Sequence, residues 1–265
     1  MKTLTVTRKD QLLQHRESIE ALFFSSFGQR ALGDLWDWAY QHNPSGEPVV
    51  SLCYEGDVLV GHYAIVPMPL SSGNVRKNSY ISMTTMVAES HRKFGLFTQL
   101  AQDTYTAAAK LGVDFVFGFP NIQSTPGFRK RLEWTLPESD HVATIDRAVL
   151  LDAARAGKFD KTDRLGLDLT QPSLREWRLA RPGATYTFRD GLAFKAHNGT
   201  LDLLWWENTE ALEALPTNSR MNVLVEASSG LEPNRLFDYQ FGGIAVCTAF
   251  DHGVINREMA ISDLF

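Results

Sequence analysis

The stretch from Ser79 to Asn121 restricts the fold of this 265-residue chain more than any other segment. Ser79–Val87 reads as a strand. Leu96–Leu111 places Leu96, Leu100, Tyr105, Ala108 and Leu111 at helical spacing, and Gly112 fits its C-terminal cap. Val113–Phe119 is an unbroken apolar run, which suits a strand covered on both faces. Between the first strand and the helix lies Glu89–Phe97, ESHRKFGLF. His91, Arg92 and Lys93 there stand before the positive end of a helix, where a cation is disfavoured by roughly 0.3–1 kcal/mol. Such crowding predicts an anion in the space between. Gly95 lets the backbone come close, and the unpaired N–H groups of the first helical turn supply donors, so a phosphate or pyrophosphate is the natural guest. A solvated basic turn is the competing reading of the tripeptide alone.

Upstream, residues 10–27 and then Leu32–Tyr40 carry helical spacing, and His42-Asn43-Pro44-Ser45-Gly46 forms a turn. Pro48–Tyr54 and Val58–Val66 read as strands joined at Glu55-Gly56-Asp57, with another turn at Ser71–Asn74. Ser124-Thr125-Pro126 should open a helix, with the hydroxyl as cap. Ala154–Arg164 is charged and reads as exposed. The wording then repeats. Trp38 is followed by Pro44 and strands, and Trp177 by Pro182, Ala184–Arg189 and Leu192–Ala196. Thr200–Trp206, a helix over Glu207–Leu215 and the strand Met221–Glu226 complete a second α/β unit. An internal duplication follows, with domains at 1–145 and 176–265 joined by a linker over 146–175.

Composition removes several classes. Lys and Arg number 26 against 31 Asp and Glu, a formal charge of −5 that suits no sequence-independent nucleic-acid binder. Cys53 and Cys247 are too few for a disulfide scaffold or a thiolate metal site, and both read as buried packing residues. No apolar run reaches a membrane span, and the start MKTLTVTRKDQLLQ lacks a signal-peptide stretch, so a cytoplasmic location is expected.

These residues resemble the GNAT superfamily of acyl-CoA-dependent N-acetyltransferases. In that family a loop Arg/Gln-x-x-Gly-x-Gly/Ala binds the CoA pyrophosphate, and here Arg92-Lys93-Phe94-Gly95-Leu96-Phe97 is similar, with Phe97 at the last small position. Trp38-Ala39-Tyr40-Gln41-His42-Asn43-Pro44-Ser45-Gly46, Phe119-Pro120-Asn121 and Ser124 resemble motifs of one subgroup. The resemblance covers roughly residues 5–140 and is faint over 175–265. It implies an α/β fold with a GNAT-like mixed central sheet flanked by helices, followed by a degenerate GNAT-like lobe without a cofactor loop. It implies acetyl-CoA as acyl donor and no metal. Met86, Val87 and Ala88 would run beside the pantetheine, with the Val87 N–H polarising the thioester carbonyl. Arg92–Thr98, Asn121, Ser124 and Phe128 would complete the cofactor site, with Phe128 where many members place a tyrosine acid.

For a base, His62, Glu89 acting through water, and the α-carboxylate of Phe265 are the options, and Tyr63 could serve as acid from a neighbouring strand. Trp38, His42, Asn43 and Tyr63 could line an acceptor pocket, with Trp36, Tyr40, Trp205 and Trp206 nearby. Each of these has an ordinary packing alternative. The expected function is acetyl-CoA-dependent N-acetylation of a primary amine on a small polar acceptor, such as an amino sugar. The alternatives are an aminoacyl transferase using charged tRNA, or a non-catalytic CoA-binding module. Acceptor identity, acyl chain length and oligomeric state are not encoded legibly.

Overall fold

Alternating apolar positions resolve into two six-stranded sheets in the computed structural model, which describes residues 1–28, 33–231 and 234–262. Leu32 and Phe265 from the sequence reading lie outside the described residues. The first part of the chain forms β1 (Lys2–Val6), α1 (Lys9–Leu13), α2 (Arg16–Phe27), α3 (Gly33–Trp36), β2 (Val49–Glu55), β3 (Val58–Pro67), β4 (Leu70–Ser72), β5 (Val75–Lys77), β6 (Ser79–Val87), α4 (Leu96–Lys110), β7 (Phe115–Gly118) and α5 (Thr125–Arg131). There follow β8 (Asp140–Asp146), α6 (Arg147–Arg155), α7 (Pro172–Leu179), β9 (Tyr186–Arg189), β10 (Leu192–His197), β11 (Thr200–Trp206), β12 (Arg220–Val225), β13 (Asn234–Tyr239) and β14 (Gly242–Ala245).

One sheet has the order β1-β2-β3-β6-β7-β14 and the other β13-β8-β12-β11-β10-β9. Each contains a single parallel pair, β6 with β7 and β11 with β12. The sheets do not divide the chain at residues 145 and 176. β8 crosses into the second sheet between β12 and β13, while β14 returns to the first sheet and pairs with β7. The stretch read as a linker holds α6, whose Leu150 and Leu151 are buried in the second core. Gly242 and Gly243 fit the crowded slot beside β7. A Cβ on Gly242 would meet Leu136 at 2.5 Å, and one on Gly243 would meet Phe250 at 2.5 Å.

The two tryptophans of the repeated wording meet. Trp38 and Trp177 stack at 5.0 Å with planes 2° apart, and each indole N–H donates to the other's carbonyl at 2.8 Å. Trp36, Trp38 and Tyr40 are all buried, Trp38 against Trp177, Trp36 under Arg16 and Tyr40 bonded to Thr84. Trp36 and Tyr40, one turn apart, touch at 4.8 Å on one face, and Trp38 projects from the opposite one. A wide turn over Asp37–Gln41, closed by His42 N–H to Asp37 O at 2.7 Å, ends the segment.

The structure departs from the sequence reading in three further places. The helix expected over Glu207–Leu215 is a short 3₁₀ turn, Glu210–Ala214, because Leu215 precedes Pro216 and is extended at φ −61°, ψ 142°. The single helix expected over 10–27 is broken at Gln14–His15. Cys53 is buried, but Cys247 is exposed beyond the end of β14, its N–H bonded to Asp114 O at 3.0 Å and its Sγ 3.5 Å from Ala109 O.

Candidate active site

The first sheet opens where β6 and β7 part. They pair at Ser79–Phe115, Tyr80–Val116 and Ile81–Phe117 and then diverge. Two features force this. β7 runs into Pro120, which has no N–H for a ladder. β6 carries a bulge, since Ala64 faces Met83 and His62 faces Met86, so that Tyr63 opposes both Thr84 and Thr85. Thr84 adopts φ 49°, an unfavourable conformation for a β-branched residue. Its side chain is hydrogen-bonded to the Tyr40 hydroxyl at 2.8 Å, and its carbonyl accepts from His62 Nδ1 at 2.7 Å. The strained residue is thus held from both sides.

Beyond the bulge the free edge of β6 faces the gap. The Ala88 N–H is given to Val60 O on β3 at 2.9 Å, so alternation turns the Val87 N–H toward the open side. Two cavities meet there. One, of about 560 Å³, is bordered by Met86, Val87, Arg92, Phe97, Asn121, Ser124, Lys130 and Arg131. The other, of about 460 Å³, passes through the gap and is bordered by Ser82, Thr84, Gly118, Asn121, Phe128 and Trp134, and by Phe23, Phe27 and Leu35 on the α2 side. Phe27, Thr85, Asn121 and Ser124 border both.

The basic loop forms a 3₁₀ turn, Glu89–Phe94, and Gly95 at φ +73° hands the chain to α4. No atom lies within 4 Å of a Cβ built on Gly95, so the space before it is open. His91, Arg92 and Lys93 therefore sit on the last turn of one short helix as well as before the first turn of another. His91 is corrected as an anion ligand. It is buried, with Ser90 Oγ at 2.8 Å and Glu55 Oε2 at 3.1 Å. Arg92, Lys93 and Phe94 are exposed, Lys93 lies over the Phe94 ring, and Leu96 points into the core. Thr98 is half-buried on the first turn, and its N–H bonds Gly95 O at 3.1 Å.

Phe97 has a compensating partner. A Cβ on Gly127 of α5 would come within 3.1 Å of its ring, so the small residue has moved to the facing helix. Phe97 and Phe128 meet edge-on at 5.3 Å. Ser124 stands at the N-cap of α5 as expected, but its hydroxyl makes no capping bond and donates to Asn121 O at 3.2 Å. Asn121 Oδ1 instead accepts from the N–H groups of Gln123 at 3.0 Å and Ser124 at 2.9 Å. Lys130 and Arg131 escaped the sequence reading, although Arg129-Lys130-Arg131 is a conspicuous basic run in an acidic chain. Nothing in the sequence marked Ser82 or Phe27.

Several proposed side chains lie elsewhere. Trp38 is committed to Trp177, and Asn43 is buried, donating to Pro67 O at 2.8 Å and accepting from Ser45 N–H at 2.9 Å. His42 lies in the same turn and borders neither cavity, and Trp205 and Trp206 belong to the second half. Trp38 and Asn43 therefore serve packing and the turn and do not line an acceptor pocket. Glu89 is exposed on the 3₁₀ turn, outside both linings. Tyr63 is buried and reaches the gap only through Ser82.

His62 is fully buried, and burial pulls its pKa from 6.5 down to about 4. The ring is neutral, and Nδ1 carries the proton because Thr84 O can only accept. It braces the bulge and does not reach the cavities. Its stabilising contribution is complete above pH 6.5 and is lost as pH falls toward about 4, since the unfolded chain takes up the proton first. Asp140 acts in the opposite sense. Burial raises its carboxyl to about 6, so its contribution is present below the ordinary value of 3.8 and lost as pH rises through 6. The two are separated by substitution. Urea unfolding is expected to show that moving from about pH 7 to about pH 5 costs the wild type about 2 kcal/mol more than it costs His62→Gln. Equal losses would remove His62 as the acid-sensitive brace.

The corresponding gap of the second sheet is filled. β11 and β12 pair only at Leu201–Met221 and Asp202–Asn222, and Met259–Ile261 packs against β11. The Trp206 carbonyl and the Glu258 carboxylate both receive Lys161 Nζ, and the Trp206 backbone N–H also binds Glu258. Buried Arg178 holds the segment by donating to Ala260 O at 2.7 Å and Ser262 O at 2.9 Å. Among the described residues no group of three or more His, Cys, Asp or Glu could hold a metal, and no helix is long and apolar enough to cross a membrane.

A family model described as an acetyltransferase (GNAT) domain matches residues 10–136. No curated protein matches the sequence. Among solved structures, a GCN5-related N-acetyltransferase from Kribbella flavida is similar over 92% of this chain and 72% of its own, at 14% identity and TM-score 0.60. One of the same description from Anabaena variabilis is similar over 92% and 73%, at 13% identity and TM-score 0.56. Eis1 from Mycobacterium abscessus is similar over 90% and 67%, at 14% identity and TM-score 0.54. At such identities the likeness concerns the fold, and it extends through the second sheet. Residues 10–136, with their parted central strands and glycine-headed helix, match a GNAT acetyltransferase domain, and the fold of the chain is similar to that of GNAT N-acetyltransferases.

Proposed function

We propose that the protein is an acetyl-CoA-dependent N-acetyltransferase that acylates a primary amine. The observation that carries this reading is the gap past Ile81, with the free edge of β6 on one side and the Gly95 nest at its mouth. When bound, acetyl-CoA supplies an activated acyl thioester. The first-turn N–H groups after Gly95, with Arg92, Lys130 and Arg131, would hold its diphosphate, and Lys93 would stand at the margin. Met86, Val87 and Ala88 would guide the pantetheine, with Asn121 and Ser124 opposite. The Val87 N–H would polarise the carbonyl as a fixed dipole.

Phe128 cannot donate a proton, so the residues here must work without an acid at that position. The amine nitrogen forms a bond to the acyl carbon as the carbon–sulfur bond breaks. Sulfur leaves with the electron pair, and the surplus proton of the new amide nitrogen ends on sulfur. A thiol pKa of about 8.5 makes this departure easy.

Calorimetry is expected to detect acetyl-CoA binding below about millimolar, and a panel of amines to release CoA thiol. No binding would eliminate the reading. Binding without thiol release from any amine would instead establish a CoA-binding module.

A further inference from the structure

The cavity on the α2 side continues the one that would hold the pantetheine. Ser82, Met83, Thr84 and Thr85 border the first, and Thr85, Met86 and Val87 border the second, so one continuous stretch of β6 runs along both. From Val87 to Ser82 that stretch spans roughly 16 Å at about 3.3 Å per residue. Phe119, Phe128 and Trp134 add an aromatic wall, in which Phe128 and Trp134 meet edge-on at 4.5 Å. The α2-side cavity measures about 460 Å³. A dry cavity of roughly 150 Å³ already accepts benzene, so this one exceeds the needs of an acetyl methyl.

Polar side chains along this slot are already engaged. Thr84 Oγ1 is bonded to the Tyr40 hydroxyl at 2.8 Å, and Ser82 Oγ donates to the Tyr63 hydroxyl at 3.2 Å. Ser124 Oγ donates to Asn121 O at 3.2 Å, while Asn121 Oδ1 accepts two backbone N–H groups. Arg181 also borders the cavity, with its guanidinium donating to Pro182 O at 3.3 Å and lying over the Trp38 ring. A guest in the slot therefore gains little from polar groups of its own and much from buried carbon.

Resting on the proposed acetyltransferase reading, we infer that the donor site accepts acyl groups longer than acetyl, with the unbranched aliphatic chain of a CoA thioester laid along Ser82–Thr85 against the aromatic wall. The thioester carbonyl stays at the Val87 N–H, and the chain continues past Thr85, which borders both cavities. Each methylene that leaves water for this wall strengthens binding about threefold to fourfold. The bonds made and broken are those of acetyl transfer, since the acyl carbon is unchanged and only its substituent grows. Ser82 stands at the narrow end of the slot. A Cβ on Gly118 would lie 3.3 Å from Ser82 O and 3.4 Å from the Trp134 ring, so the two strands are already in contact there. The side chain at position 82 therefore sets the length of chain that fits.

The test uses the full chain and calorimetry with acetyl-, butyryl-, hexanoyl- and octanoyl-CoA. Affinity is expected to rise with chain length, hexanoyl-CoA binding at least about tenfold tighter than acetyl-CoA. Ser82→Phe, which fills the narrow end, is expected to cancel most of that gain while acetyl-CoA binds within about twofold of the wild type. Amines that release CoA thiol from acetyl-CoA are expected to release it from hexanoyl-CoA too. The inference is overturned if hexanoyl-CoA binds the wild type no tighter than acetyl-CoA, or if those amines release no thiol from it. It is equally overturned if the hexanoyl advantage persists in a Ser82→Phe protein that still binds acetyl-CoA. The wild-type comparison needs no variant, so it decides the matter even where Ser82→Phe fails to fold. Acetyl-CoA binding without a gain from the chain leaves the acetyltransferase reading standing, whereas a wild type that binds none of the four thioesters sinks both.

Discussion

Gly95→Glu is expected to weaken acetyl-CoA binding by more than about tenfold while the protein remains folded. One effect acts on stability and the other on binding. A non-glycine residue at φ +73° costs roughly 1–2 kcal/mol of backbone energy. The new carboxylate would stand where the helix amino end and neighbouring cations favour a negative guest, so it competes with the diphosphate directly. Gly95→Ala separates the two, because a Cβ there meets nothing within 4 Å. The alanine variant should lose comparable stability but bind acetyl-CoA nearly as the wild type does. Calorimetry with both variants decides the matter, and undiminished affinity in Gly95→Glu would refute the nest.

The largest loss of stability is expected from the indole pair. Trp38→Ala removes a fully packed ring, which costs about 3–5 kcal/mol, and leaves the Trp177 carbonyl without its buried donor. Trp177→Ala should cost about the same by the reciprocal loss. Since both remove one shared contact, the double variant should be only slightly worse than either single one. Trp38→Phe keeps an aromatic face but not the N–H, and should cost about 1–2 kcal/mol. Urea unfolding of the four proteins measures this cycle. Additive losses would show that the rings act independently and do not clasp the halves.

The first sheet was legible because its instructions are local. Ser79–Val87 appears with those bounds, and α4 ends one residue before the helix read from Leu96, Leu100 and Leu111. The loop at Gly95 was legible for the same reason, since positive φ, helix start and clustered cations all leave marks within a few residues. What stayed hidden depends on partners far along the chain. Nothing in Asp140–Asp146 announces that it will join β12, and nothing in Gly242–Ala245 says that its neighbour is β7. Trp38 read as a pocket wall because aromatic residues serve interfaces and ligands equally well; Trp177, 139 residues away, settles its role. His62 followed a glycine on a strand and looked available, but accessibility is set by packing that spacing does not record. Arg129-Lys130-Arg131 could have been found, as net charge drew attention away from local charge.

The crossing of β8 and β14 has a further meaning for biosynthesis. Until residue 245 has left the ribosome, β7 lacks its outer neighbour and offers bare amide and carbonyl groups to whatever passes. Maturation is therefore gated by a late, long-range closure, the slow kind of event in folding kinetics. Either portion synthesised alone would carry an unfinished border, and mixing the two as separate polypeptides is the route by which each could be completed.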